Sequence, residues 1–354
     1  MNILVIGKFY TEGFSLHIAE TLVNMGHSVR RFEPGFRSGR IGGRFGHRLD
    51  QVRGVIHSAT DGLPAVRARR MRTLWQAVEQ SPPDVVIVCH DFLWPAEVAE
   101  LKRRTGAQVA MWFPDPIANF GRAFFMNAAY DALFFKDPYI VQAIGDVLKS
   151  PVHYLPECFN PECHWLPEEA IGHDAAYECD ITTAGSQHSW RVAFYKNLSD
   201  YDIKLWGNPA PLWMPTGPVA GMHQGRGVYN HDKIRAFRGA KIVVNNLHYS
   251  EMWGVNARTF ETTGAGAFQM VDWRPGLSQL FEDGKELITF RSMADLKQKI
   301  DYWLPREAER RAIAEAGMRR AHEQHTYALR LGLLLDTLSG KRHGYPTPQI
   351  RYAM

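Results

Sequence analysis

The sequence predicts an α/β protein built as two successive halves, each a doubly wound parallel sheet covered by helices. Three observations carry this. Short apolar runs alternate with amphipathic stretches along most of the chain, the pattern of strands buried on both faces and joined by helices. The alternation lapses over residues 160–176, an aperiodic segment with prolines, acids and histidines that reads as a linker. Finally, 354 residues exceed what one core usually organises.

The first half opens with Asn2-Ile3-Leu4-Val5-Ile6, a buried strand that runs into Gly7. Residues 16–25 space Leu16, Ala19, Leu22 and Val23 as one helical face, and Gly26 stops that helix. Residues 29–32 form a second strand. The turn from Gly7 to Gly13 lacks the G-x-G-x-x-G spacing, which disfavours a dinucleotide there. Residues 34–62 are rich in glycine and arginine and read as a long loop. Helices follow at 67–80, 95–104 and 139–148. Strands follow at 84–89, 109–113, 130–135 and 152–155. Gly7, His90, Asp91, Asp115, Lys136 and Glu157 all come directly after strand ends, so a parallel sheet gathers them on one rim.

The second half begins with a strand at 178–184 that delivers Gly185 and Ser186. A helix at 189–198 carries Arg191 and Lys196, and a strand at 203–206 ends in Trp206-Gly207. After a proline- and glycine-rich loop (209–227) and a short helix (231–237) comes the most informative stretch, 240–274. It reads as strand, loop, helix, strand, with Gly264-Ala265-Gly266 ending the helix. A helix starting after such a loop points free N–H groups at the loop mouth, which suits a diphosphate. Arg258 and Glu261, three apart on the first turn, can meet a phosphate and the vicinal hydroxyls of a ribose. They can equally be an intrahelical ion pair. A strand at 286–290 and helices at 293–304, 307–325 and 327–338 close the chain, the last strongly apolar and suited to packing across the domain junction.

Apolar, charged and aromatic content are those of an ordinary globular protein, and no apolar run approaches the ~20 residues of a membrane span. Cys89, Cys158, Cys163 and Cys179 are scattered, and Cys158, Cys163 and His164 lack the partner pair of a zinc site. A reducing, cytoplasmic setting is the expectation. The net charge of +4 does not imply nucleic acid, although residues 30–72 carry eleven arginines against Glu33, Asp50 and Asp61. That stretch reads as a solvated face, as a docking surface for anionic lipid at the inner membrane face, or as a nucleic-acid contact. The last is disfavoured because only Phe32, Phe36 and Phe45 interleave the arginines.

Several blocks, in order, carry a resemblance: MWFPDP (111–116), YDALFFKDP (130–138), VHYLPECFNPECH (152–164), YECDITTAGSQHSWR (177–191), GVNARTFETTGAGAF (254–268) and HTYALR (325–330). The chain resembles the GT-B glycosyltransferases, and within them the spore-maturation-protein-CgeB-like family. The resemblance implies two Rossmann-like domains facing a central crevice: 1–165 for the acceptor, 166–325 for a nucleotide-sugar donor, and 326–354 crossing back as a helix and tail. It implies transfer of a sugar from a nucleoside diphosphate to a hydroxyl of a glycan, lipid-linked glycan or small molecule, with no further cofactor. Glu261 looks like the family's ribose-binding glutamate, and Arg191 with Lys196 like its diphosphate-binding pair. The retaining members' Glu-x7-Glu is displaced: counting back from Glu261 gives Trp253, and the nearest acid is Glu251.

Cations must offset charge on the departing diphosphate, with Arg258 and Arg191 as candidates. Arg191 has the alternative of a surface helix residue. Asp115, His90 and Asp91 compete as the base, and Asp115 can instead cap the following turn. Gly185, Ser186, Trp206, Gly207, Asn246, His248 and Asn256 complete the candidate donor contacts. Two other readings stay open: a nucleotide-sugar epimerase of the same architecture, and a non-catalytic protein that binds anions or nucleic acid through the basic stretch.

Overall fold

The computed structural model describes residues 1–34, 56, 59–60, 62–341 and 344–348. Most of the arginine-rich stretch therefore lies outside the described residues. The first half holds β1 (Asn2–Ile6), α1 (Phe14–Asn24), β2 (Ser28–Phe32), α2 (Pro64–Gln80), β3 (Val85–Val88), α3 (Pro95–Thr105), β4 (Gln108–Phe113), β5 (Ala132–Phe135), α4 (Pro138–Leu148) and β6 (Val152–Tyr154). The order β2-β1-β3-β4-β5-β6 makes one parallel sheet. Val85–Val88 is buried at every position, and the sheet carries a separate apolar cluster on each face, as a fully covered parallel sheet requires.

The segment expected to be an unstructured linker contains two short helices, α5 (Pro161–His164) and α6 (Glu168–Ile171). Proline at its N1 position and the Asn160 side chain, which accepts the N–H of Glu162, start α5. The second half comprises β7 (Cys179–Ala184), α7 (Ser189–Tyr195), β8 (Ile203–Trp206), α8 (Val219–Met222), α9 (His231–Gly239), β9 (Ala240–Asn245), α10 (Ala257–Gly264), β10 (Gln269–Asp272), β11 (Ile288–Phe290), α11 (Met293–Trp303), α12 (Glu307–Gln324) and α13 (Tyr327–Leu338). Its sheet runs β11-β10-β9-β7-β8, again parallel. Each sheet thus reverses direction once, between β1 and β3 and between β7 and β9. A crevice opens beyond the carboxyl ends of the strands at such a point.

The chain crosses between the halves twice, and the crossings run side by side. Phe159 N–H bonds to His325 C=O at 3.1 Å and Tyr327 N–H to Phe159 C=O at 3.2 Å. From there α13 lies against the first half, where Tyr327, Leu331, Leu334 and Leu338 join the cluster of Ile3, Val5, Ile18 and Leu22. Full burial of each such side chain is worth ~1.5–3 kcal/mol.

A second fastening involves charge. The Asp137 carboxylate accepts the N–H groups of Met252 (2.8 Å) and Trp253 (3.2 Å), from the loop after β9. Lys136 Nζ pairs with Glu251 at 2.6 Å and Glu157 at 3.4 Å, all three buried. Burial pushes the Glu157 carboxyl up to about 8 although Lys136 opposes it. The Glu-x-x-Gly opening of the displaced motif is thus gripped by the first half. A Cβ on Gly254 would sit 2.6 Å from the Lys136 carbonyl, so the approach admits no side chain. Gly254→Ala should loosen this junction, lowering Tm and expanding the protein in small-angle scattering.

Two buried histidines make stability pH-dependent. Burial, then neighbouring His164, lowers His17 to about 4. Burial, then Arg330, lowers His325 to about 3. His325 accepts from Arg330 at 2.7 Å and shares a 2.9 Å hydrogen bond with the Leu280 carbonyl, which requires the neutral ring. Both folded values lie below the ordinary 6.5 or so, so the unfolded chain takes up protons first. The stability is present above that value and is lost as pH falls toward 4. Calorimetry should show Tm dropping below pH 6.5, with a shallower slope in His325→Gln.

Candidate active site

The strand-end glycines set the geometry of the second half. Gly185 (φ 139°) and Gly207 (φ 137°) follow β7 and β8 in conformations that side chains rarely adopt. A Cβ on Gly207 would strike the Gly185 backbone, and one on Gly185 would strike the guanidinium groups of both Arg191 and Arg258. Two cations from different helices therefore meet over one glycine. Arg191 donates to the Ser186 carbonyl and Arg258 to Asn245 Oδ1, each at 3.2 Å. Among the described residues neither has a carboxylate within 4.0 Å. Burial, then the charge of Arg258, lowers Arg191 to about 9, and burial lowers Arg258 as well. Adjacent like charges without an acid are costly, and an anion placed between them removes that cost.

Glu261, one turn along α10 from Arg258, lines a cavity with Gly185, Ser186, Gly207, Asn208 and Arg258. Lys233 of α9 lies 3.1 Å from its carboxylate and His164 of α5 lies 3.8 Å away. Burial opposes ionisation of Glu261, but Lys233, His164 and Arg258 prevail and hold it at about 2. Lys233 also pairs at 2.5 Å with Glu12, which reaches over from the first half, with His164 3.4 Å from the same carboxylate. The alternative of an intrahelical Arg258–Glu261 ion pair is not what forms: Glu261 is partnered by Lys233, and Arg258 turns to Asn245 and the glycine.

The facing rim belongs to the first half. His90 (φ 116°) follows β3, with its ring 4.4 Å from that of Phe113 and 5.1 Å from that of Phe92. Its Nε2 is 3.5 Å from Asp115 Oδ2. Burial works to raise the Asp115 carboxyl, but the His90 hydrogen bond and the Lys136 charge leave it below its ordinary value. Asp91 faces elsewhere and accepts the N–H groups of Phe124 (2.7 Å) and Phe125 (3.0 Å), which makes it a turn anchor.

Other expected contacts are placed differently. Trp206 is buried, donates to Thr182 at 3.1 Å and packs with Tyr177 in the core, so it serves the sheet and not the cavity. Lys196 is exposed on a 3₁₀ turn, with its stem packed near Gly217, and does not join Arg191. Asn256 caps α10, accepting the Thr259 N–H at 3.2 Å, and bonds to Asn245 at 3.0 Å. Asn246 is buried at the end of β9 with neither side-chain polar atom partnered. His248 shares a 2.6 Å hydrogen bond with Ser250. Cys158 lies in the core, and His164 serves the acid network.

Glu12, His164 and Lys233 were not recognisable as site residues. Glu12 and His164 sit in segments read as a turn and a linker, and Lys233 on a short helix with no distinguishing spacing. Only contacts across 28 residues (Lys233 to Glu261) and more assemble them.

Comparison with known proteins follows the same division. Residues 187–336 match a family model described as glycosyl transferase-like. No curated protein matches the chain by sequence. A sucrose-phosphate synthase from Thermosynechococcus elongatus superposes with a TM-score of 0.62 at 12% identity, over 96% of this chain and 100% of that one. A glycosyltransferase from Rickettsia africae gives 0.65 at 14%, over 96% and 98%. The Anabaena protein HepE, solved with UDP and glucose, gives 0.61 at 12%, over 96% and 100%. The fold is GT-B. Among the described residues no helix is long and apolar enough to cross a membrane.

Proposed function

We propose that the protein is a glycosyltransferase that takes a sugar from a nucleoside-diphosphate donor and passes it to an acceptor hydroxyl. One observation carries this: two guanidinium groups, with no carboxylate within 4.0 Å among the described residues, meet over Gly185 beside a cavity whose wall is an ionised, half-buried Glu261. A diphosphate fits the first feature and the vicinal hydroxyls of a ribose fit the second. The match of residues 187–336 to a glycosyl transferase-like model, and the UDP and glucose bound by HepE, support the same reading. The CgeB-like blocks support that narrower family. Its acceptor is a glycan, lipid-linked glycan or small molecule, and the arginine-rich stretch suits contact with an anionic membrane surface.

In the reaction, Asp115 takes the proton of the acceptor hydroxyl, with His90 fixing the carboxylate. The acceptor oxygen bonds to the anomeric carbon as the bond to the diphosphate oxygen breaks. Arg191 and Arg258 neutralise the charge that gathers on the leaving group. No metal is assigned to this step, so turnover should persist in EDTA.

A charge-assisted contact of this kind is worth ~1.5–3 kcal/mol. Arg258→Ala and Arg191→Ala should each weaken nucleoside-diphosphate binding by about ten- to a hundredfold in calorimetric titration. Glu261→Ala should weaken binding of the nucleoside diphosphate far more than binding of pyrophosphate. Asp115→Asn should lower kcat by roughly 10²–10⁴-fold with little change in donor Kd. Wild-type affinity in all three donor-site variants would refute the assignment.

A further inference from the structure

The turn after β1 sends a charge from the first half into the second. Tyr10 C=O accepts the Gly13 N–H at 2.8 Å, and Glu12 inside that turn is held at φ 57°. A residue with a side chain enters that region at a cost, and such outliers gather where a function needs them. Here the conformation carries the Glu12 carboxylate out of its own half and onto the start of α9. It accepts the N–H of Asn230, the residue before that helix, and lies 2.5 Å from Lys233 Nζ in the first turn. Burial works to raise the Glu12 carboxyl, but His164 and the Lys233 charge hold it below the usual glutamate range.

Glu12 does not have these partners to itself. Lys233 and His164 each stand between two carboxylates, and each is closer to Glu12. Lys233 is 2.5 Å from Glu12 against 3.1 Å from Glu261, and His164 Nε2 is 3.4 Å against 3.8 Å. The His164 ring is oriented by its Nδ1, which accepts the Asn160 N–H at 3.3 Å and so leaves the Nε2 proton facing the two acids. Each of the four side chains is at most 16% exposed, and Glu12, Lys233 and Glu261 line one cavity with Arg258 and Gly185. Two acids therefore compete for one ammonium and one imidazole N–H. With Glu12 in place the donors are drawn toward it, and Glu261 keeps lone pairs for hydroxyl groups. Without Glu12 both donors would fall to Glu261, and a carboxylate already satisfied from within the protein gains little from a ligand's hydroxyl.

On the donor reading above, we propose that Glu12 is a positioning residue that sets specificity: by holding Lys233 and His164 off Glu261, it keeps that carboxylate open to the ribose hydroxyls. The first half thus decides, through one side chain, how strongly the second half tells a ribonucleotide from its 2′-deoxy counterpart.

The test uses the full-length protein and its Glu12→Gln, Glu12→Ala and Lys233→Met variants, together with the Glu12→Gln, Lys233→Met double variant, with Tm recorded for each. Binding is titrated calorimetrically with UDP, GDP, ADP and CDP, with their 2′-deoxy counterparts, with TDP and with pyrophosphate. In wild type, loss of the 2′-hydroxyl is expected to weaken binding about tenfold or more, the worth of a hydrogen bond to an ionised group. Glu12→Gln keeps the shape and an acceptor for the Asn230 N–H but removes the charge. It should bring ribo and deoxy ligands within about threefold of each other while pyrophosphate affinity stays within about twofold of wild type. Added to Lys233→Met, the same substitution should change the ribo-to-deoxy ratio far less, since the contested ammonium is gone. The inference is overturned if Glu12→Gln and Glu12→Ala keep the wild-type ratio, or if wild type does not distinguish the two sugars. It is equally overturned if the variants weaken ribo, deoxy and pyrophosphate ligands alike, as a merely structural role would, or if Glu12→Gln acts equally in both backgrounds. Each of these outcomes leaves the donor reading standing. Wild type that binds none of the nucleoside diphosphates sinks that reading, and the inference with it.

Discussion

The architecture turns on a contact between unlike parts of the chain: the carboxylate of Asp137, at the end of β5, holding the backbone N–H groups of Met252 and Trp253. Those residues belong to the loop that leads into α10, so the grip sets where that helix stands relative to the first half. Lys136 beside it pairs with Glu251 in a fully buried setting, where breaking one partner leaves an uncompensated charge. The Gly254 backbone lies against the Lys136 carbonyl at a distance only glycine allows. The rim carrying His90 and Asp115 and the rim carrying Arg191 and Arg258 are thereby held around one crevice.

Charge is distributed across that crevice in a way that separates two kinds of recognition. Over Gly185 two guanidinium groups meet with no carboxylate within 4.0 Å among the described residues, which leaves an excess of positive charge there. At Glu261 the opposite holds: Lys233 satisfies the carboxylate and keeps it ionised, which leaves its remaining lone pairs as acceptors for hydroxyl groups. Because Lys233 is shared with Glu12, the first half contributes a side chain to the second half's cavity. The two halves are thus coupled at the site itself as well as through α13.

Much of the frame was legible in the residues. Buried runs such as VVIV and the ends marked by Gly7, Gly185 and Gly207 led to parallel strands and to a rim of functional side chains, because apolar periodicity and glycine conformation are local properties. Arg191, Arg258 and Glu261 could be singled out because each lies on a helix just beyond a strand end. Trp206, Lys196 and Asn256 also stand at or after strand ends, yet they became a core aromatic, an exposed lysine and a helix cap. Position after a strand says which rim a residue joins. The packing of its neighbours decides where its side chain points.

The sequence by itself determined the fold class and the location of both crevice rims, since these follow from periodicity and chain direction, and it singled out the two arginines that the fold brings together over Gly185. Only the tertiary structure decided that Glu261 is partnered by Lys233 and not by Arg258, that Glu12 crosses from the other half, and that Glu251 answers to Lys136. Each of these is a contact between charges far apart along the chain. Their pairing depends on distances of a few ångströms in space, and those distances are set by how the two sheets dock.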